Sequence, residues 1–276
     1  MATPIGNAGD ITLRALETLR GVDAVACEDT RTTGSLLRRY GISVPLFPYH
    51  EHNAAKVRPQ ILARVAAGEA IALVSDAGTP LVSDPGFKLV REAREAGLPV
   101  THLPGANAAI TALVLSGLPS DRFLFTGFLP NKGGPRRTAL EELKPVPATL
   151  VLYESPQRLP DFLADAASVL GNREAAVARE LTKLFEEVRR APLPELAAHY
   201  AQAGPPKGEV VVVIAPPAEG AAQAEAADLD TLLRQALASM SVRDAAAHVA
   251  TVTGQPKKQV YARALELASA ARDGGP

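Results

Sequence analysis

The sequence predicts an α/β protein of two α/β domains followed by a small all-helical module. Short apolar runs alternate with amphipathic segments over residues 1–214, a pattern typical of sheets covered by helices. A stretch rich in Pro and Gly at 128–136 divides this region into two halves. Beyond residue 228 the spacing of apolar residues indicates helices alone.

The period and length of each apolar segment predict the individual elements. Runs of four to six mostly apolar residues predict strands at 22–26, 70–75, 99–103, 123–127, 149–153, 175–178 and 209–214. Helical spacing predicts helices at 11–19, 35–40, 54–67, 87–96, 108–116, 159–170 and 193–201. This alternation favours mostly parallel sheets with helices on their faces.

Composition shifts predict the domain boundaries. The first α/β domain is expected at 1–127 and the second at 128–216. Residues 215–227 contain seven Ala, two Pro and one Gly, so a linker is predicted at 217–228. The helical module is expected at 229–272.

Composition also excludes several classes of protein. The 276 residues carry 29 Lys and Arg against 30 Asp and Glu, which excludes a uniformly basic coat but not a local basic patch. Cys27 is the only cysteine, so no disulfide forms within the chain and a reducing, cytoplasmic location is expected. No apolar stretch approaches the roughly 20 residues that span a bilayer. Without a thiolate cluster or a zinc-helix pattern, no metal is expected.

Three turns at the ends of predicted strands are candidate sites for a nucleotide-like ligand. Residues 75–80 (Ser-Asp-Ala-Gly-Thr-Pro) follow a hydrophobic strand, and open α/β sheets bind ligands at this end of their strands. Gly78 permits close approach of the backbone, and Asp76 offers a carboxylate. Residues 104–107 and 3–7 have a similar design. An ordinary capped turn is the alternative for each motif.

Charged residues follow other predicted strands. Glu28, Asp29 and Arg31 come directly after the first strand, where they suit either a general base with a substrate clamp or a structural ion pair. His50 and Asn53 suit a substrate-contacting loop better than a metal site, with a solvated turn as the alternative.

The second half carries comparable groups. Glu154 ends a strand directly after Tyr153, at the position where ligands tend to bind. Arg179 and Lys183 follow the next strand and suit a phosphate, with a charged surface loop as the alternative.

The carboxyl-terminal module is locally basic. Its window 231–272 carries six basic residues and two acidic ones. Two helices joined by a Gly-containing turn at 252–256 are typical of a helix-turn-helix-like unit. Lys257 and Lys258 open the second helix, which predicts contact with nucleic acid, while a packing or dimerisation unit is the alternative.

Ten short motifs occur in one order along nearly the whole chain. They are Thr-Pro-Ile-Gly-Asn at 3–7, Asp-Ile-Thr at 10–12, Glu-Asp-Thr-Arg at 28–31, His-Glu-His-Asn at 50–53, Ser-Asp-Ala-Gly-Thr-Pro at 75–80, Asp-Pro-Gly at 84–86, Gly-Phe-Leu-Pro at 127–130, Tyr-Glu-Ser at 153–155, Ala-Arg-Glu-Leu-Thr-Lys at 178–183 and Lys-Gly-Glu at 207–209. Each motif is weak alone, but the ordered set is specific. It resembles the bacterial small-subunit ribosomal RNA cytidine 2′-O-methyltransferases, within the tetrapyrrole methylase superfamily.

The resemblance implies two α/β domains of the tetrapyrrole methylase type with S-adenosylmethionine in the cleft between them. It also implies a homodimer and, as target, a cytidine in the decoding region of 16S ribosomal RNA, within the small ribosomal subunit. Residues 1–127 would form the acceptor side and part of the cofactor cleft. By position, the cofactor would contact Pro4, Gly6, Asp76, Gly78, Thr79, Pro104, Asn107, Ala108, Tyr153 and Glu154.

For such a methyl transfer, we assign acceptor-side roles to the charged strand-end groups. Glu28 and Asp29 are expected as a base or orienting pair, and Arg31 as a phosphate clamp. The further candidates for the acceptor site are His50, Asn53, Glu180 and Lys183. The residues expected to contact RNA are Lys257, Lys258 and Arg263.

Two positions depart from the family pattern. Relatives have apolar residues that form a first strand before Ala-Thr-Pro-Ile-Gly-Asn, whereas Met1 directly precedes Ala2 here. A strand before Met1 is therefore expected in the native protein, and a native amino terminus at Met1 or Ala2 in mass spectrometry would contradict this. Residues 104–107 read Pro-Gly-Ala-Asn where relatives often have Pro-Gly-Pro, although Asn107 can still cap a helix.

Two other functions stay open at this point. One is a small-molecule tetrapyrrole or corrin methylase, against which the basic tail and the charged group at 28–31 favour RNA. The other is a non-catalytic RNA-binding protein on a methylase fold, against which the intact motif at 75–80 argues.

Overall fold

Three parallel strands form the centre of the amino-terminal part. The computed structural model describes residues 1–218, 221–253 and 255–273. Strands β1 (Ala24–Cys27), β2 (Leu46–Pro48) and β3 (Ile71–Val74) pair in the order β2-β1-β3. Parallel pairing brings the carboxyl ends of all three strands to one edge of the sheet.

Helices cover both faces of this sheet. They are α1 (Leu13–Gly21), α2 (Thr30–Arg39), α3 (Ala54–Ala66) and α4 (Phe87–Glu95). The side chains of Thr12 and Asp29 accept backbone N–H groups at the starts of α1 and α2, which is ordinary N-capping. Leu19 and Leu37 join the apolar cluster on one side of the strands, and Ile61 joins the cluster on the other.

A five-stranded mixed sheet forms the second part. Its strands are β4 (Phe123–Phe128), β5 (Thr149–Glu154), β6 (Glu174–Arg179), β7 (Glu187–Pro192) and β8 (Val210–Ile214), in the order β4-β5-β8-β6-β7. β8 is last in sequence but lies in the middle, antiparallel to β5 and β6. The expectation of mostly parallel sheets is therefore right for the first sheet and wrong for the second.

Both faces of the second sheet are buried. Val211 and Val213 pack with α5 (Ala108–Ser116) on one face, whereas Val210, Val212 and Ile214 belong to the core on the other face. That core is completed by α6 (Gly133–Leu143), α7 (Leu159–Leu170) and α8 (Leu193–Ala203). Burial on both sides explains why β8 is an unbroken apolar run.

The elements around the boundary predicted at 127 pack together. β4 pairs with β5, and α5, which lies before residue 127, packs on β5, β6 and β8. The Pro- and Gly-rich stretch at 128–136 only connects β4 to α6. The predicted linker at 217–228 is too long, because a helix begins at Ala221. Alanine is the strongest helix former, so an Ala-rich segment extends that helix.

Other elements differ from expectation. The spacing of apolar residues does not reveal β2, β7 or α6, and residues 99–103 do not form the predicted strand. Leu103 instead accepts one hydrogen bond from the Ala2 N–H at 3.1 Å, and the Met1 ammonium donates to the Leu73 carbonyl at 2.8 Å. An apolar groove of about 830 Å³ lies between β3 and residues 99–103.

The carboxyl-terminal unit, residues 217–276, contains three helices in its described part. They are α9 (Ala221–Leu237), α10 (Val242–Thr253) and α11 (Lys257–Asp273). Leu233, Val249 and Val260 are buried between them. This agrees with the predicted helical module. Among the described residues of the whole chain, no helix is long and apolar enough to cross a membrane.

A buried ion pair in the second core offers a test of the fold. Asp165 lies 2.6 Å from Arg136 and 2.9 Å from Arg137, and Arg136 is only 5% exposed. We expect Asp165→Ala to lower the free energy of unfolding by about 3–5 kcal/mol, because it leaves a buried guanidinium unpaired. Glu95→Ala, which removes an exposed pair with Arg91, is the control and should cost less than about 1 kcal/mol. Equal decreases in urea denaturation would contradict this.

Candidate active site

Polar residues meet where the three parallel strands end. Glu28 and Asp29 follow β1, His50 follows β2, and Asp76 follows β3. The Asp29 backbone N–H donates to the Asp76 carboxylate at 3.0 Å and joins two of these strand ends. Charged residues that follow separate strands in the sequence therefore lie together at one edge of the sheet.

Asp29 and Arg31 interact with each other. The Asp29 carboxylate caps α2 by accepting the Arg31 N–H at 2.8 Å, and it forms an ion pair with the guanidinium at 2.6 Å. Hydrogen bonds from Arg31 lower the pKa of Asp29 to about 2. Such a carboxylate accepts a proton poorly, so the geometry disfavours Asp29 as a base. Arg31 is exposed and available to an anion on its outer side.

Glu28 has the opposite environment. Burial raises its pKa, and the nearby charges of Asp76 and Asp84 raise it further, while His50 opposes them. Because the Asp29 carboxylate is already paired with Arg31, the carboxylates of Glu28 and Asp29 differ in basicity. Glu28 is the member of the pair suited to accept a proton.

Asp84 is a site residue that the sequence motifs did not assign. Burial raises its pKa, a hydrogen bond with Ser75 opposes this, and the charge of Asp76 adds to the increase. Its loop includes Leu81 and Ser83 with φ of 74° and 63°, a conformation that side chains other than glycine rarely adopt. The motif Asp-Pro-Gly at 84–86 is present in the sequence. Because it lies several residues after the strand, the sequence does not indicate that Asp84 lies near Asp76.

His50 and Asn53 form a structured turn. The Asn53 side chain accepts the His50 backbone N–H at 2.9 Å and donates to the Pro48 carbonyl at 2.9 Å. Asn53 therefore fixes the loop, and His50 is the member near Glu28. Among the described residues, no group of His, Cys, Asp or Glu could hold a metal ion.

The turn at 3–7 lies against the turn after β3. Thr3 and Gly78 exchange backbone hydrogen bonds of 2.9 and 3.0 Å, and Gly78 has φ of 78°, which requires glycine's freedom. Thr79 donates its hydroxyl to the Ala106 carbonyl at 3.2 Å. Asn107 caps α5, whose first residue is Ala108. The three predicted cofactor turns are thus brought together, with Pro104 exposed beside them.

The segment after β6 contacts the turn at 3–7, which pairs with the turn after β3. Lys183 forms ion pairs with Glu180 at 2.7 Å and Glu209 at 2.9 Å. A Cβ on Gly6 would lie 2.5 Å from the Lys183 Cγ, so this approach requires glycine. The resulting polar pocket of about 530 Å³ is lined by Thr3, Pro4, Ile5, Gly6, Ala8, Thr32, Thr33, Ser35, Leu36, Arg39, Ser75, Asp76, Ala77, Lys183 and Glu209. The larger apolar groove beside β3 is lined by Thr79 and Pro80 of the motif at 75–80, but not by Glu28, Asp29 or Asp76.

Glu154 has a structural partner. Its buried carboxylate lies 2.5 Å from Arg158 and accepts the Ser155 N–H at 2.6 Å. Tyr153 packs edge-on against Phe125 and Phe128, and burial raises its pKa. Neither residue lines the polar pocket, but the second carboxylate oxygen of Glu154, Oε2, is buried and has no hydrogen-bond partner, so contact of this residue with the cofactor stays a prediction.

The three residues predicted to contact RNA differ from one another in exposure and in ion pairing. Lys257 and Lys258 are exposed at the start of α11. The Arg263 guanidinium instead binds Asp230 at 2.7 Å and Glu266 at 2.6 Å, which fixes it within the unit. Lys257 and Lys258 are therefore the freer cations of the set.

Comparison with known proteins agrees with this architecture. The family model described as Tetrapyrrole (Corrin/Porphyrin) Methylases matches residues 2–197, and one described as the RsmI C-terminal HTH domain matches residues 223–268. A protein of Mesorhizobium japonicum named ribosomal RNA small subunit methyltransferase I is 54% identical over 99% of this chain and 93% of its own length. The chain belongs to the ribosomal RNA small subunit methyltransferase I family of tetrapyrrole methylases. The resemblance carried by the ten motifs is confirmed.

Further relatives carry the same name. One from Erythrobacter litoralis is 58% identical over 97% of this chain and 94% of its own length. One from Escherichia coli O157:H7 is 49% identical over 96% of this chain and 93% of its own length. The chain is a methyltransferase that uses S-adenosylmethionine.

Solved structures support the fold. A uroporphyrin-III-C-methyltransferase from Thermus thermophilus aligns with a TM-score of 0.56 at 20% identity, over 80% of this chain and 95% of its own. A diphthine synthase aligns with a TM-score of 0.60 at 17% identity, over 78% and 88%. The predicted tetrapyrrole methylase fold is confirmed.

The polar pocket suits S-adenosylmethionine. Its volume of about 530 Å³ is ordinary for a small-molecule site. Glu209 in its lining is paired with Lys183, whereas Asp76 places a carboxylate there that complements the positive charge of a sulfonium. Arg39 also lines the pocket from α2, a residue that sequence reasoning missed because it ends a helix far from any strand end.

The raised pKa of Glu28 can be tested directly. We expect Asp76→Asn to lower it, because one of the charges that raises it is removed while an acceptor for the Asp29 N–H remains. Carboxyl-carbon NMR titration measures the pKa, and Glu28→Gln assigns the resonance. Asp10→Asn is the control, since Asp10 is exposed and is not one of the charges acting on Glu28. An unchanged value in Asp76→Asn would contradict the assignment.

Proposed function

We propose that the protein methylates the ribose 2′-OH of a cytidine in the decoding region of 16S ribosomal RNA, within the small ribosomal subunit. The named relatives and the helix-turn-helix match support a ribosomal RNA substrate. The observation that carries the 2′-OH assignment is Glu28. It is a carboxylate of raised pKa beside Asp76, which lines the pocket.

The reaction needs both orientation and proton removal. S-adenosylmethionine supplies a methyl group on a positively charged sulfur. A ribose hydroxyl attacks well only as it loses its proton, and Glu28 is proposed to accept that proton. Orientation supplies about 7–11 kcal/mol of barrier reduction, whereas a general base adds about 3–5 kcal/mol. Positioning by the pocket should therefore dominate the rate.

Positively charged side chains surround the proposed acceptor position. Arg31 is 90% exposed on its side chain, and Arg39 is exposed on the same helix. Both suit the phosphates on either side of a bound nucleotide. Lys183 is held by Glu180 and Glu209, so its proposed role is to position the turn at Gly6.

The two other functions make different demands. A tetrapyrrole methylase would have no use for a helix-turn-helix unit with exposed lysines, and the uroporphyrin-III-C-methyltransferase from Thermus thermophilus is only 20% identical. A non-catalytic RNA-binding protein would not need a pocket with the intact motif at 75–80. Both favour the ribosomal RNA methylase.

Two further proposals concern the protein's setting. A homodimer is supported by α5, an apolar helix whose Ile110, Val114 and Leu115 remain 40–71% exposed although its other face is buried. A reducing cytoplasmic location is supported by the single buried Cys27.

The first test is methyl transfer to small ribosomal subunits that lack 2′-O-methylcytidine, read by nuclease digestion and mass spectrometry. We expect Glu28→Gln to slow single-turnover transfer by about 10²–10⁴-fold and to leave the affinity for S-adenosylmethionine unchanged. The wild-type rate should fall at acid pH with a midpoint above the usual pKa of glutamate, because burial raises that of Glu28. This decrease of the rate at acid pH should be absent in Glu28→Gln.

Several outcomes would contradict the proposal. Methylation at another atom or nucleotide would overturn the 2′-O-cytidine assignment. A full rate in Glu28→Ala would overturn the base assignment. Absence of transfer with cofactor binding intact would indicate a different acceptor.

The helix-turn-helix unit makes a separate prediction. We expect Lys257→Ala with Lys258→Ala to lower the slope of log affinity against log salt concentration by about 1 for each phosphate that the lysines no longer bind. Arg263→Ala is the matched control, because its guanidinium already pairs with Asp230 and Glu266. This control should keep the salt slope and lower the melting temperature. Filter binding to ribosomal RNA and thermal unfolding measure the two effects, and an unchanged slope in the double variant would contradict the assignment.

A further inference from the structure

The segment after β6 has an unusual backbone. The Lys183 N–H donates to the Glu180 carbonyl at 3.0 Å, and the Glu186 N–H donates to the Lys183 carbonyl at 3.1 Å. These bonds close two consecutive turns. Glu180 and Thr182 have φ of 50° and 65°, a region that residues with side chains seldom occupy. Strained backbone of this kind persists where its surroundings hold it in place.

Several contacts hold this segment. Glu180 accepts from Lys183 at 2.7 Å and from the Glu209 N–H at 3.1 Å. Glu186 accepts the Thr182 N–H at 2.6 Å. Thr182 in turn accepts the Asn7 N–H at 3.0 Å. The two turns are thus attached both to the start of β8 and to the turn that lines the polar pocket.

Two apolar side chains, Leu184 and Phe185, lie at the tip of the second turn, and these two residues are called the tip below. Leu184 and Phe185 are the central residues of the second turn, and they are 90% and 67% exposed. Burying a phenylalanine is ordinarily favourable by about 1.5–3 kcal/mol, so its exposure on a held turn calls for a binding partner. Lys183, two residues before Phe185, lines the polar pocket.

We propose that Phe185 stacks on a nucleobase of the RNA substrate next to the nucleotide in the pocket, with Leu184 extending the apolar surface. This inference rests on the proposed RNA substrate. Unpaired RNA bases are commonly held by aromatic side chains, since every base offers a flat apolar face. The tip would select an unstacked base and fix which nucleotide enters the pocket.

The charges around the tip favour a base over the RNA backbone. Glu180, Glu186, Glu187 and Glu209 surround the turn, while Lys183 and Arg179 are already paired with members of this group. Carboxylates repel phosphates, so this surface suits the uncharged face of a base. A second copy of the chain fits less well, because a stable interface buries about 800 Å² per partner, far more than two side chains provide.

The sequence provides a direct probe, because it contains no tryptophan. In Phe185→Trp all tryptophan emission comes from the tip. We expect a short single-stranded RNA containing one cytidine to quench it. Phe87→Trp is the control, since Phe87 is 63% exposed on α4 and should show no quenching. Equal quenching at both positions, or none at Phe185→Trp while the RNA binds, would overturn the proposal.

Substitution gives a second measurement. Phe185→Ala is expected to weaken RNA binding by about 5- to 150-fold, the usual range for one stacked base, with cofactor affinity unchanged. Phe185→Tyr should restore binding, and Phe87→Ala should have no effect. Unchanged RNA binding in Phe185→Ala, or a change in its sedimentation instead, would overturn the proposal and indicate a protein interface in the latter case. Since quenching needs no methyl transfer, failure of the wild type to methylate subunits would count against the proposed function alone.

Discussion

The parallel pairing of β1 with both β2 and β3 is the constraint on which the acceptor side depends. It forces three strand ends to one edge, so residues distant in sequence share one small volume. The bond between Asp29 and Asp76 then sets the spacing of two of these ends. The turn at 3–7 pairs with Gly78 at the same edge and carries the contact with Lys183. The parallel direction of the strands therefore determines where the pocket forms, more than any single side chain does.

Adjacent carboxylates acquire different properties from their partners. Asp29 caps a helix and binds Arg31, which lowers its pKa, whereas burial and like charges raise that of Glu28. Sequence alone presents the two as equivalent. Their contacts give Asp29 a lowered pKa and Glu28 a raised one, a division that enzymes often use when two acids lie side by side.

Sequence predicts the strongly patterned elements and misses those stabilised by their neighbours. The bounds of α5 and α7 follow from apolar spacing and end glycines, and the strand-end motifs point to Glu28, Asp76 and Gly78, which the fold brings to one edge of the first sheet. By contrast, β7 carries exposed charges and depends on pairing with β6, so no apolar period marks it. Glu154 has the position of a ligand residue in the sequence, yet its partner Arg158 is known only from the fold. The Pro- and Gly-rich stretch at 128–136 lies between β4 and α6, which shows that such a composition also occurs between neighbouring elements of one sheet layer.

The position of β8 has a consequence for how the chain is made. The ribosome releases residues 24–74, which contain all three strands of the first sheet, early in translation. The second sheet lacks its middle until Ile214 has emerged, since β5 and β6 meet only through β8. Until then each nascent chain exposes two unpaired apolar strand edges, which are sites for aggregation and for chaperone binding. The second sheet can therefore be completed only after β8, its last strand in the sequence, has been translated.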